Sequence, residues 1–125
     1  MDQATLVNPD INAGRDALAA LDAAQIKPVV ALLMVSSDYD DWRLTLASPA
    51  LDQTHPLRAY EQVTAVLRGR FVYSLPPLLI LPLKDPFIRE LRRMFGKTKE
   101  VDGMRLGGQT IGNRFIANAY VYRVR

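Results

Sequence analysis

The sequence predicts an α+β fold: one mixed, mostly antiparallel sheet of about five strands with three helices, in the order α-β-β-α-β-α-β-β. Three observations carry this prediction. Val29 to Val35 is an unbroken apolar run, and Trp42-Arg43-Leu44-Thr45-Leu46 alternates apolar with polar. Pro9, Pro56 and Pro86 each open an amphipathic stretch of helical period. The last arm, Arg114 to Val124, is apolar on both faces and follows a Gly-Asn turn. An apolar run suits a strand covered twice, and an alternating run suits a strand with one wet face.

The first helix begins at Asn8-Pro9-Asp10. Asn8 can accept from the free N–H groups of the first turn, Pro9 suits the first helical position, and Asp10 meets the positive end of the dipole. Ile11, Gly14, Leu18 and Leu21 share one face, while Ala13, Ala17, Ala20 and Ala24 keep the helix slim. Pro28 stops it. The two strands of the first hairpin follow, joined by Ser36-Ser37-Asp38-Tyr39-Asp40-Asp41. Ala50 to His55 reads as a polar link.

The helix opened by Pro56 buries Ala59, Tyr60, Val63, Val66 and Leu67 and ends at Gly69. Phe71-Val72-Tyr73 and Leu78 to Leu81 come next, and Pro82 confines the second piece to an edge or an end. Strand, helix, strand in this order predicts one parallel pairing. Asp85-Pro86 caps the third helix, whose apolar face is Phe87, Ile88, Leu91, Met94 and Phe95 and whose stop is Gly96. Met104 to Ile111 and Arg114 to Val124 form a closing hairpin around Gly112-Asn113, with a bulge at Gly107-Gly108. Simple alternation puts Phe115, Ala117, Ala119 and Val121 on one face of the last arm. It puts Ile116, Tyr120, Tyr122 and Val124 on the other.

A chain of 125 residues makes one domain, residues 1–125, with residues 1–7 as a flexible lead into it. Its composition, 49% hydrophobic and 23% charged, is that of a globular core rather than a disordered chain. The absence of cysteine removes disulfides, thiol nucleophiles and cysteine metal sites, and it fits a cytoplasmic protein. The first residues carry none of the pattern of a signal peptide. Leu75 to Leu83 holds three prolines and is too short to span a bilayer, so no membrane partner is expected. Charge is uneven. Residues 1–83 hold six Lys/Arg against nine Asp/Glu, and residues 84–125 hold ten against four.

Asn8-Pro9-Asp10, Trp42-Arg43-Leu44 and Ala119-Tyr120-Val121-Tyr122-Arg123 together resemble a group of short, uncharacterised bacterial proteins. The resemblance implies no activity.

Each candidate for chemistry has a plainer reading. Gly96-Lys97-Thr98 ends like a phosphate-binding loop, but Leu91 stands where that motif needs glycine, and a helix ends rather than begins there. Asp38, Asp40 and Asp41 lack the later ligands of a calcium loop. His55, the single histidine, reads as a helix-entry residue. No catalytic residue, metal ligand or cofactor is assigned. Two binding readings remain. The leading one is a non-enzymatic interaction domain that forms a homodimer through Tyr120 or Tyr122, with Leu75 and Leu78 as neighbours. It assumes that three helices cover one side of the sheet well and the other thinly. The alternative is a nucleic-acid-binding accessory protein that uses Arg89, Arg92, Arg93, Lys97 and Lys99, with Arg105 and Arg114 nearby.

Overall fold

The computed structural model describes residues 8–36, 41–52, 55–68 and 77–125. The expected Phe71-Val72-Tyr73 piece and the stop at Gly69 lie outside them. The elements are α1 (Asn8–Ala23), β1 (Val30–Ser36), β2 (Arg43–Ala47), α2 (Pro49–Asp52), α3 (Pro56–Leu67), β3 (Leu78–Ile80), α4 (Pro86–Phe95), β4 (Met104–Leu106), β5 (Gln109–Ile111) and β6 (Arg114–Val124). The class is the expected α+β with a mixed sheet. The strand order is β3-β2-β1-β6-β4, and β5 also pairs with β6. All pairings are antiparallel except β2 with β3, the one parallel pairing.

The sheet is covered on both sides. Ala31, Leu33 and Val35 point to one layer with Trp42, Leu44 and Leu46, and there they meet Ala17, Leu18 and Leu21 of α1 and Ala59, Val63 and Leu67 of α3. Val30, Leu32 and Met34 point to the other, with Ile116, Ala119, Val121 and Val124, under Phe87, Ile88 and Leu91 of α4. Leu81 and Val101, from the chain on either side of α4, complete this second layer. With α1, α3 and the single turn of α2 on one side and α4 on the other, neither layer is open at β1.

Local chemistry accounts for most element ends. His55 Nδ1 accepts from the Leu57 amide at 3.2 Å and Asp85 Oδ1 from the Phe87 amide at 2.9 Å, each ahead of a proline. The same device makes α2, which interrupts the expected polar link. Buried Ser48 precedes Pro49, and its Oγ accepts from the Ala50 amide at 3.2 Å. The first helix ends at Ala23, before Pro28 can act. Gln25 takes a left-handed φ of 67°, its amide bonds to Asp22 and the Ile26 amide reaches back to Leu21. That is the Schellman arrangement, with Ile26 and Leu21 in the same core layer.

Three expectations need correction. The supposed wet face of β2 is buried, with Thr45 at 0% exposure, because β2 lies between β1 and β3 and α4's layer reaches over it. Met94 is 39% exposed although it has the angular position of Phe87 and Leu91; it sits in the last turn, where the core thins. Simple alternation also fails in β6. The register against β1 skips Tyr122 between Arg123 and Val121, and skips Ala117 between Asn118 and Ile116. Each bulge moves the phase by one residue. Ile116 and Val124 therefore join Ala119 and Val121, while Ala117, Tyr120 and Tyr122 face α1.

The approach of α1 to β6 depends on Gly14. A Cβ there would stand 2.2 Å from Tyr122 Oη and 2.8 Å from its Cζ, and that hydroxyl donates to the Ile11 carbonyl at 2.7 Å. Gly14→Ala inside an ordinary helix stabilises by about 1 kcal/mol. Here it should destabilise by about 1–3 kcal/mol through overpacking. Adding Tyr122→Phe removes the nearest atom and should recover part of the loss. Denaturant unfolding of the single and double variants reads both effects; a gain in stability for Gly14→Ala alone would place α1 further from the sheet than described here.

Candidate functional site

The two sets of residues singled out from the sequence occupy different sides of the sheet. Tyr122 is 5% exposed, with its ring under the Arg15 guanidinium at 5.6 Å. It is interior to the chain itself. Tyr120 is half-buried; its ring meets that of Tyr122 edge-on at 5.3 Å, and its hydroxyl accepts from Arg15 at 3.0 Å. Arg15 also pairs with Asp102. Leu78 lies on β3, two strands away from β6 across β2 and β1, or roughly 14 Å at ordinary strand spacing. It cannot share a small patch with Tyr120. Leu75 lies outside the described residues.

Beyond Tyr120 the same side of the sheet becomes open. Phe115 is 43% exposed, opposite exposed Thr110 on β5. Ala117 and Asn118 are half-buried beside it, and Arg105 of β4 donates to Asn118 Oδ1 at 2.9 Å. This corner, Phe115, Asn118, Tyr120, Arg105 and Arg15, is the surface that the sequence reading missed. Its signal would have been the two bulges. They bring Phe115 onto the face of Tyr120, where simple alternation would not, and no residue in the arm announces them.

The basic set lies on the other side. Arg89, Arg92 and Arg93 occupy the arc of α4 opposite Phe87, Ile88 and Leu91, and Lys97 and Lys99 continue into the turn that follows. All five are exposed. Arg93 Nε reaches both carboxylate oxygens of Glu90 at 3.0 Å, and this hydrogen-bonded pairing holds the Glu90 carboxyl below the usual range. Arg92 Nε donates to the Arg125 carbonyl at 2.7 Å, which ties α4 to the end of β6. Arg114 lies with this side, its guanidinium 5.9 Å from the Phe87 ring centroid, but Arg105 does not.

Between the turn after α4 and the end of β6 runs an open cleft of about 530 Å³, lined by Thr98, Lys99, Glu100, Asp102, Arg123 and Arg125 among others. Its ion pairs are fixed. Arg123 holds Asp22 of α1 with two hydrogen bonds, at 2.9 and 2.7 Å, and donates to the Pro28 carbonyl at 3.1 Å.

The remaining candidates fall on structural duties. His55 caps α3, and Gly96-Lys97-Thr98 is the turn after α4, with the Thr98 amide on the Phe95 carbonyl. Asp41 stands 3.5 Å from Arg43, while Asp38 and Asp40 lie outside the described residues. Among the described residues no group of three or more acidic or histidine side chains is placed to hold a metal, and no helix is long and apolar enough to cross a membrane. No family model, curated protein or solved structure matches the chain.

The Asp22–Arg123 pair gives a pH test. The hydrogen bonds from Arg123 hold the Asp22 carboxyl below the usual carboxylate range. A depressed folded-state value contributes stability above the unfolded value, near 3.9, and that contribution is lost as pH falls through the folded one. The Asp22 side chain is 34% exposed, so the pair contributes roughly 1 kcal/mol at most. Asp22→Asn should be less stable than the parent at neutral pH, and the gap should close below about pH 4. Urea unfolding at neutral and acidic pH checks this; a gap that persists in acid would mean that charge pairing contributes nothing.

Proposed function

We propose that the chain is a non-enzymatic interaction domain that pairs with a second copy of itself through the open corner of the sheet. The observation that carries this reading is Phe115, a large aromatic left 43% exposed on a sheet face beside half-buried Tyr120. Aromatic and arginine side chains at the rim of a packed core are the composition of interface anchors. A second copy is favoured by charge. Exposed Arg105 flanks the same corner, and Asp102, held by Arg15 through one carboxylate oxygen, keeps its side chain 52% exposed, so a two-fold rotation can bring Arg105 to its other oxygen. The contact differs from the one expected from sequence, because Tyr122 is inside and Phe115 takes its place.

A second reading rests on the solvent-facing arc of α4, where Arg89, Arg92 and Arg93 run into Lys97 and Lys99 and Glu90 is the one acid in the helix. Such a surface suits the phosphate backbone of a nucleic acid.

The readings separate cleanly. Light scattering at tens of micromolar should give a dimer mass for the parent and a folded monomer for Phe115→Glu, since a two-fold contact meets each added charge twice. A monomeric parent at that concentration ends the first reading. For the second, Arg89→Ala with Arg93→Ala should weaken binding to all sequences alike and flatten the salt slope by about one per lost phosphate contact. No binding of the parent to single- or double-stranded nucleic acid at low salt would end it.

A further inference from the structure

We infer that the cleft between the turn after α4 and the end of β6 binds a phosphate group. Two of its charges are already committed: Asp102 to Arg15, and Arg123 to Asp22. Of the rest, Lys99 and Arg125 line the cleft with Glu100; neither cation forms an ion pair among the described residues, and Arg125 lies in the field of Asp22, which Arg123 already holds. Arg92 adds a further cation at the rim through its bond to the Arg125 carbonyl. The surplus is therefore positive, in an open cleft of about 530 Å³ with Thr98 on its wall. A polar, open cleft of this kind favours a small hydrophilic anion over an apolar ligand. Lysine as a compact charge beside arginine as a planar fork matches a phosphate with several acceptor oxygens better than it matches a single carboxylate.

The phosphate can come from a free phosphorylated molecule or from the end of a nucleic-acid strand lying on α4, since Arg92 belongs to both surfaces. Only the second source rests on the nucleic-acid reading. The experiment uses the full chain with three probes: inorganic pyrophosphate, and one short single-stranded oligonucleotide with and without a 5′-phosphate. Amide shifts in NMR and calorimetric titration read the binding. Lys99→Gln with Arg125→Gln is the cleft variant. Arg89→Gln with Arg93→Gln is the control on α4. All four are exposed, so both variants should melt like the parent.

Pyrophosphate should shift amides of residues 96–102 and 122–125. Its affinity should fall about tenfold or more in the cleft variant and hold in the control. Tighter binding of the 5′-phosphorylated strand, lost in the cleft variant, identifies the strand end as the source. Equal strand affinities, or no strand binding at all, with pyrophosphate still bound, identify a free phosphate. Absence of shifts in both segments at millimolar pyrophosphate and low salt overturns the inference, even if the strand binds α4.

Discussion

Val30 to Ser36 are buried without exception, so β1 has no face to give to water. A strand of this kind must be covered twice, and the rest of the chain is arranged by that requirement. Fully burying one leucine or valine side chain is worth about 1.5–3 kcal/mol, and β1 presents such side chains alternately to both layers. One layer is filled by α1 and α3 packed side by side. The other has only α4, ten residues long, yet it closes because Leu81 and Val101 come in from the chain at either end of the helix. The expectation of a thinly covered side counted helices alone. Connecting segments with one apolar residue in the right place fill the gap that a second helix on that side would otherwise take.

The strand beside β1 adapts to it by breaking its own period. β6 is eleven residues long and runs against seven of β1, with β4 and β5 along its other edge. Its bulges at Ala117 and Tyr122 place Phe115 and Arg123 on the α1 side with Tyr120, where unbroken alternation would not. Those two shifts leave Phe115 open and carry Arg123 to Asp22, while Asn118 receives Arg105 and Tyr122 stays under Gly14. The same bulges keep Ile116 and Val124 in the opposite core. The two bulges thus serve both packing layers.

Much of this was legible in the sequence, and the boundary has a physical cause. The capping residues, the prolines and the Gly-Asn turn act locally, so Asp85, His55 and Gly112 do what their positions announce. The shared inward phase of Trp42, Leu44, Leu46, Leu33 and Val35 was also readable, because a period of two over a short strand leaves little choice. Ser48-Pro49 carries the same capping signal as Asp85-Pro86, but the helix behind it is four residues long, too short to show a helical period. The bulges of β6 were not readable. Nothing in Ala117 or Tyr122 marks the extra residue; the register is set by β1 and by Tyr122 fitting over Gly14. The basic arc of α4 followed from helical period alone, whereas the exposed corner at Phe115 needed the bulges to be known first.

The sheet's edges narrow what the molecule can use for contact. At β3, Pro77 and Pro82 bracket three paired residues, and the Tyr60 hydroxyl accepts the amide of Ile80 at 3.0 Å, a donor that the parallel ladder leaves over. At the far edge, β4 and β5 are three residues each, separated by Gly107-Gly108 with Gly108 in the left-handed region at φ 63°. Short, interrupted or capped edges resist the addition of another strand. Two surfaces clear of these edges are the corner around Phe115 on the α1 side and the basic arc on the α4 side. The packed thickness of the sheet lies between them. Substitutions that far apart, with no shared partner, act additively, so occupancy of one surface does not by itself report on the other.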